Sequence, residues 1–126
     1  MLKTIFLIGA GGFAGTVARY LLYRLVQVLF PMLLFPAATL CVNVAGSFII
    51  GILYSLTDSQ TLVSPELRLI LATGFCGGFT TFSAFAYENF SFIKTGNVSL
   101  FIIYTVISII AGLAAVYFGY RFGKFI

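Results

Sequence analysis

From Val98 to Phe122 the chain carries one charged side chain, Arg121, and it lies near the end of the run. A helix rises about 1.5 Å per residue, so about 20 apolar residues cross the roughly 30 Å hydrocarbon core of a bilayer. Lipid offers no partner to a backbone N–H or C=O, so a run of this length is helical. Three further segments meet the same test. The expected spans are about 4–30, 36–56, 66–93 and 98–122, forming one four-helix transmembrane domain over 1–126. Pro31 closes the first span. The loop "TDSQTLVSPE" separates the second from the third, and the turn "KTGN" separates the third from the fourth. Ser64, Pro65 and Glu66 read as N-cap, first-turn proline and first-turn acid. Four spans put both termini on one side. The fold class is an all-α integral membrane protein with membrane lipid as its surroundings.

Composition narrows the chemistry. Charged residues make up 8% of the chain and the mean hydropathy is +1.14, where a soluble domain carries about a quarter charged residues. The seven Lys and Arg are scattered, and without a basic cluster nucleic acid is not an expected partner. There is no histidine, which removes most zinc sites, the Ser-His and Cys-His nucleophile pairs and the usual general base. Cys41 and Cys76 lie in apolar runs, form no CxxC and read as free, buried thiols. The three carboxylates, Asp58, Glu66 and Glu88, place no two at catalytic spacing on one apolar helix. The chain does not read as an enzyme. Lys3 followed by "TIFLIGAGGFAG" mimics a signal peptide, but the apolar pattern resumes past Arg19 and Arg24 and runs to Pro31, so this is read as the first span. "GAGGFAG" at 9–15 contains G-x-G-x-x-A, yet no strand precedes it and no βαβ unit follows, so a dinucleotide site is discarded.

Charge does not fix one orientation. Lys3, Arg68, Arg121 and Lys124 fall on the terminal side, against Arg19, Arg24 and Lys94 on the other. Orientation normally follows a clear excess of Lys and Arg. Two readings stand: the chain inserts both ways and pairs with its inverted copy, or one loop or the first helix decides. Gly11/Gly15 and Gly119/Gly123 have the spacing that lets helices approach closely, and oligomerisation is a reasonable hypothesis.

Polar residues fall into stripes. Thr39, Asn43 and Ser47 recur every four residues on one face of the second span. Asn43 has an amide donor that can face an anion. Tyr104 and Ser108 share a face of the fourth. Such residues either glue helices together or line a hydrated path. Arg19 within the first span faces a partner or cavity, or snorkels to the interface.

"GFCGGFTTFSAFAYE" at 74–88 gathers glycines, hydroxyls and phenylalanines in one span. Gly74, Gly77 and Gly78 are expected to let the third helix unwind near mid-membrane. Broken helices at that depth are tolerated where they are buried in protein or line a site. Freed carbonyls suit a small cation. N–H groups and the hydroxyls of Thr80, Thr81 and Ser83 suit an anion. Phe82 and Phe85 lie three apart, and ring edges carry positive charge that favours an anion; ordinary packing is the other reading of these rings.

"GGFAGTVARY" (11–20), "VNVAGSFIIG" (42–51) and "GFCGGFTTFSAF" (74–85) resemble the three signature blocks of the Fluc/CrcB fluoride channels. The resemblance covers essentially the whole chain. It implies an antiparallel, dual-topology homodimer in the bacterial plasma (inner) membrane with two fluoride pores. It also implies a structural sodium ion on the two-fold axis, held by the carbonyls of Gly77 and Thr80. Asn43, Phe82, Phe85, Tyr104 and Ser108 match pore positions, beside Thr81 and Ser83, with Arg19 and Glu88 at vestibules. Ala84 stands where the family commonly has threonine, which is not expected to alter the pore. The implied task is export: neutral hydrogen fluoride enters a cell, releases fluoride and traps it, and a passive channel lets the anion leave. A small multidrug-type antiporter is the competing class, but it needs a carboxylate in the first helix, where this chain has Arg19 and Arg24. A non-transporting assembly subunit is the third, with the polar stripes as glue.

Overall fold

In the computed structural model, residues 1–58 and 63–126 are described. The middle of the "TDSQTLVSPE" loop, residues 59–62, lies outside them. Among the described residues four helices are long and apolar enough to cross a membrane: Leu2–Leu29, Ala37–Asp58, Pro65–Lys94 and Val98–Gly123. The third begins as its sequence dictates, with the Leu67 N–H donating to Ser64 Oγ at 3.2 Å and Pro65 in the first turn. Both termini lie at one end of the bundle. There Lys3 Nζ sits 3.3 Å from Glu66 Oε1, and the Tyr120 hydroxyl donates to Asp58 Oδ2 at 2.8 Å. Exposed pairs of this kind contribute at most about 1 kcal/mol; they mark an end rather than hold it. At the other end, Gly96 takes φ +76° in the turn between the third and fourth helices, a conformation glycine adopts without a side-chain clash.

Small residues hold the bundle together. The second and fourth helices make the most extensive contact, because Gly51, Gly119 and Gly123 bring backbone against backbone. A Cβ at Gly119 would collide with the Phe48 carbonyl, and one at Gly123 would lie 2.7 Å from Ser55 Cβ. The first helix packs on the third in the same way. A Cβ at Gly11 would lie 2.6 Å from the Ile70 oxygen, and one at Gly15 would collide with the Phe75 carbonyl. Both GxxxG pairs are thus used within one chain. Close approach of this kind replaces the hydrophobic drive that lipid removes.

The interruption of the third span lies further along than its glycines. Over Leu69–Cys76 the helix widens into π turns, and the Gly77 N–H reaches back to the Ala72 carbonyl. Gly77 and Gly78 are helical, in the turn Gly77–Phe79. The backbone extends at Thr80 (φ −80°, ψ 160°) and Thr81 (φ −150°, ψ 112°), and a helix resumes over Phe82–Lys94. The expectation that Gly74, Gly77 and Gly78 unwind the helix is therefore corrected. Gly74 and Gly78 serve close packing: a Cβ at Gly74 would lie 2.7 Å from the Ile8 oxygen, and one at Gly78 would collide with Gly12. Two adjacent β-branched threonines favour the extended conformation, and they carry the break.

The interior is more polar than the exterior. Thr39, Ser55, Thr81 and Asn89 are buried beside Val42, Leu53, Cys76, Phe79, Tyr104 and Ala115, while Phe6, Phe13, Leu25, Ile110 and Phe118 are exposed. Apolar side chains outside and polar groups inside are what a bilayer selects. Both cysteines are free, but only Cys76 is buried. Cys41 is exposed on the outer face of the second helix, so the expectation of two buried thiols is corrected there, because a lipid-facing position accepts a small apolar side chain as readily as the core does.

Candidate functional site

Every backbone group freed at the break needs a partner, and neighbouring helices supply several. The Thr81 N–H donates to Asn43 Oδ1 at 2.8 Å, and Asn43 Nδ2 donates to the Thr81 carbonyl at 3.1 Å. Arg19 Nη1 donates to the Thr80 carbonyl at 3.1 Å. Thr16 Oγ1 donates to the Gly78 carbonyl at 3.4 Å. Thr80 turns its own hydroxyl back to the Cys76 carbonyl at 2.8 Å. Thr81 Oγ1 caps the resumed helix by accepting from the Ala84 N–H at 3.2 Å, and it lies 3.2 Å from Ser83 Oγ. The helix that starts at Phe82 thus points its amide end into the break, where partial positive charge collects.

Two open grooves flank this point. One, of about 400 Å³, is lined by Asn43, Gly46, Ser47, Thr80, Thr81, Phe82, Phe85 and Ser108, with Ile50, Ile109, Gly112 and Val116. The Ser108 hydroxyl is shielded from solvent and has no hydrogen-bond partner among the described residues. The other, of about 500 Å³, is lined by Thr16, Arg19, Tyr20, Tyr23, Arg24, Gln27, Thr81, Ser83 and Ala84. Two cationic side chains and several hydroxyls make it anion-attracting. Arg19 thus lines this groove and donates to the Thr80 carbonyl. Thr81 borders both grooves.

The aromatic pair straddles the surface. Phe82 and Phe85 have ring centroids 5.9 Å apart at 43°, and Phe82 is 79% exposed in the single chain. Behind them Tyr104 is fully buried, with its ring 5.2 Å from Phe85. Tyr104 does not line the first groove. Its hydroxyl donates to Glu88 Oε2 at 2.7 Å, Thr39 Oγ1 donates to Glu88 Oε1 at 2.6 Å, and the Tyr23 hydroxyl lies 2.5 Å from Thr39 Oγ1. Glu88 is thus tied into a hydroxyl network at the edge of two shallower pockets, one shared with Ser91 and Phe92 and one with Tyr23 and Gln27.

Gly77 stands apart from these grooves: a Cβ there would meet only the Ala72 oxygen, at 4.0 Å. Sequence reasoning missed Tyr23, Asn89 and Thr105. Asn89 Nδ2 donates to the Phe85 carbonyl at 3.1 Å, and Thr105 Oγ1 donates to Asn89 Oδ1 at 3.1 Å. The available signal was adjacency, since Asn89 follows Glu88 and Thr105 follows Tyr104.

Four membrane-length helices among the described residues, one of them interrupted part-way along beside two grooves, define a multi-pass membrane protein. The chain belongs to the CrcB-like family, described as CrcB-like protein, Camphor Resistance (CrcB), whose profile matches residues 6–120. It is 48% identical over 122 residues to the fluoride-specific ion channel FluC of Chlorobium phaeobacteroides, covering 95% of this chain and 92% of that one. It is 50% identical over 116 residues to the protein of that name from Chlorobium luteolum, with 92% and 88% covered. Against the one from Chlorobaculum tepidum it is 47% identical over 124 residues, with 98% and 97% covered.

Proposed function

We propose that this chain is a passive fluoride-selective channel of the bacterial inner membrane, and not an enzyme, which lets cytoplasmic fluoride leave and relieves its toxicity. The observation that carries the reading is the convergence of Asn43, Thr81, Phe82, Phe85 and Ser108 on one groove at a broken helix, in a chain whose close relatives are named for fluoride conduction. Fluoride is small and tightly hydrated, so a path for it must replace water with several donors. The groove offers the shielded Ser108 hydroxyl, the second Nδ2 hydrogen of Asn43 and the ring edges of the phenylalanine pair. None of these is a full positive charge, so the ion is stabilised without being trapped. Arg19 and Arg24, in the neighbouring groove, raise the local anion concentration.

The working unit in this reading is an antiparallel homodimer with two pores. Phe82 is 79% exposed in one chain, which leaves its pore wall incomplete and calls for a second copy. The near tie of basic residues between the two sides is compatible with insertion both ways.

A structural sodium at the break also fits the donor set. The resemblance implies backbone oxygens as its ligands, those of Gly77 and Thr80, and among the described residues no group of three His, Cys, Asp or Glu offers a competing site. The Thr81 N–H that a continuous helix would give to the Gly77 carbonyl goes to Asn43 instead, leaving that oxygen without its helical donor. The Thr80 carbonyl accepts Arg19 on one side and keeps a second lone pair. Bound there, sodium supplies a fixed positive charge. Rigorous sodium removal is expected to lower fluoride flux and weaken the dimer, with no sodium transported. Full flux and an unchanged dimer after removal would exclude the ion.

The direct test is fluoride release from liposomes holding the purified protein, read with a fluoride electrode. Rapid fluoride efflux with chloride retained is the expected result. No fluoride efflux from folded, sodium-loaded protein would overturn the reading.

A further inference from the structure

We infer that Asn43 is a positioning residue whose amide takes the place of a helical partner for Thr81 and holds the third span broken. The inference deepens the channel reading, but its main test does not depend on fluoride. Both ends of the Asn43 amide are committed to one backbone residue: Oδ1 accepts the Thr81 N–H at 2.8 Å and Nδ2 donates to the Thr81 carbonyl at 3.1 Å. Thr81 is 8% exposed, so its N–H has little access to water, and an unmet N–H in a membrane interior is costly. In an unbroken helix that N–H would bond to the Gly77 carbonyl four residues back. By taking it, Asn43 favours the broken form over the continuous one and leaves the Gly77 carbonyl available.

The second helix supports this twice. One turn beyond Asn43, Gly46 has no side chain, and a Cβ there would collide with Thr80 Cγ2. Asn43 thus holds the backbone of one threonine of the break while Gly46 seats the side chain of the other. The restart of the helix follows from the same contact. Thr81 is its N-cap, so fixing the Thr81 backbone sets the direction in which Phe82 and Phe85 emerge. An amide that only bound the ion would aim its donors into the groove and leave Oδ1 uncommitted. Here Oδ1 is turned to the protein backbone, and only the second Nδ2 hydrogen is left for a ligand.

The two roles separate on substitution. Asn43→Asp keeps an acceptor for the Thr81 N–H and removes both amide hydrogens. Asn43→Leu has nearly the same shape and removes acceptor and donors together. The experiment is residue-resolved amide hydrogen exchange on the full chain in lipid nanodiscs, with liposome fluoride flux measured in parallel. In the unsubstituted protein Thr81 is expected to exchange at least about tenfold more slowly than Phe82, whose first-turn N–H has no intrahelical acceptor. Asn43→Asp keeps the Thr81 protection, Asn43→Leu loses about tenfold of it, and flux falls in both. A Thr81 amide in the unsubstituted protein that exchanges as fast as Phe82 overturns the inference, as does unchanged protection in Asn43→Leu. If Asn43→Leu does not fold, the comparison of Thr81 with Phe82 in the unsubstituted protein decides. Absence of fluoride flux from that protein would count against the channel reading alone.

Discussion

Phe82→Ile is expected to lower fluoride flux roughly 100-fold, the scale of losing one preorganised group that stabilises an anion, while the chain stays folded. The second half of that expectation comes from exposure. With 79% of Phe82 accessible in the single chain, trimming its ring opens no cavity in the core of that chain, so a loss of flux is not a loss of fold. Isoleucine keeps an apolar side chain but has no ring edge, and the edge is where the positive partial charge of an aromatic lies. Phe85 is a poorer choice for the same experiment. It packs on the buried Tyr104 at 5.2 Å, so shortening it disturbs the network that holds Glu88. The measurement is electrode-detected efflux from liposomes, beside circular dichroism and size-exclusion profiles of the same preparation. Normal flux through a well-folded Phe82→Ile protein would remove this ring from the ion path.

Gly119→Ala is expected to destabilise the chain by about 3 kcal/mol, the upper end of ordinary overpacking costs. The added methyl would collide with the Phe48 carbonyl and lie 3.0 Å from its carbon. Backbone cannot rotate away as a flexible side chain can, so the second and fourth helices must separate along their shared face. Gly9→Ala is the matched control. Nothing lies within 4 Å of a Cβ at Gly9, and its effect on the chain's own fold is expected within about 0.5 kcal/mol. Detergent-titrated unfolding of the two variants reads the difference. Equal stabilities would mean that the contact between these helices is looser than described.

Much of this architecture is legible in the chain. Long apolar runs such as 98–122 specify helices because each residue is judged separately against lipid, and that property is local. The polar stripes are legible for a similar reason: spacing alone puts Thr39, Asn43 and Ser47 on one face. Asn43 and Ser47 do share a groove with Thr81, Phe82 and Ser108. Close packing at glycine pairs is also written in the spacing. Its partners are not, and both pairs turn out to face neighbouring helices of the same chain.

What the sequence determined by itself, then, is the count of long apolar helices and the identity of the polar faces. It did not determine where the third span breaks. Glycines pointed to 74–78, yet Gly77 and Gly78 stay helical and the backbone opens at Thr80 and Thr81. A helix in lipid breaks where another helix can satisfy the groups it releases, and here that means Asn43 and Arg19, distant in sequence and adjacent in space. The engagement of Glu88 by Thr39 and Tyr104 was decided in the same way. Burial against lipid is a property of one segment, whereas a partner for a freed N–H or C=O exists only once the helices have packed.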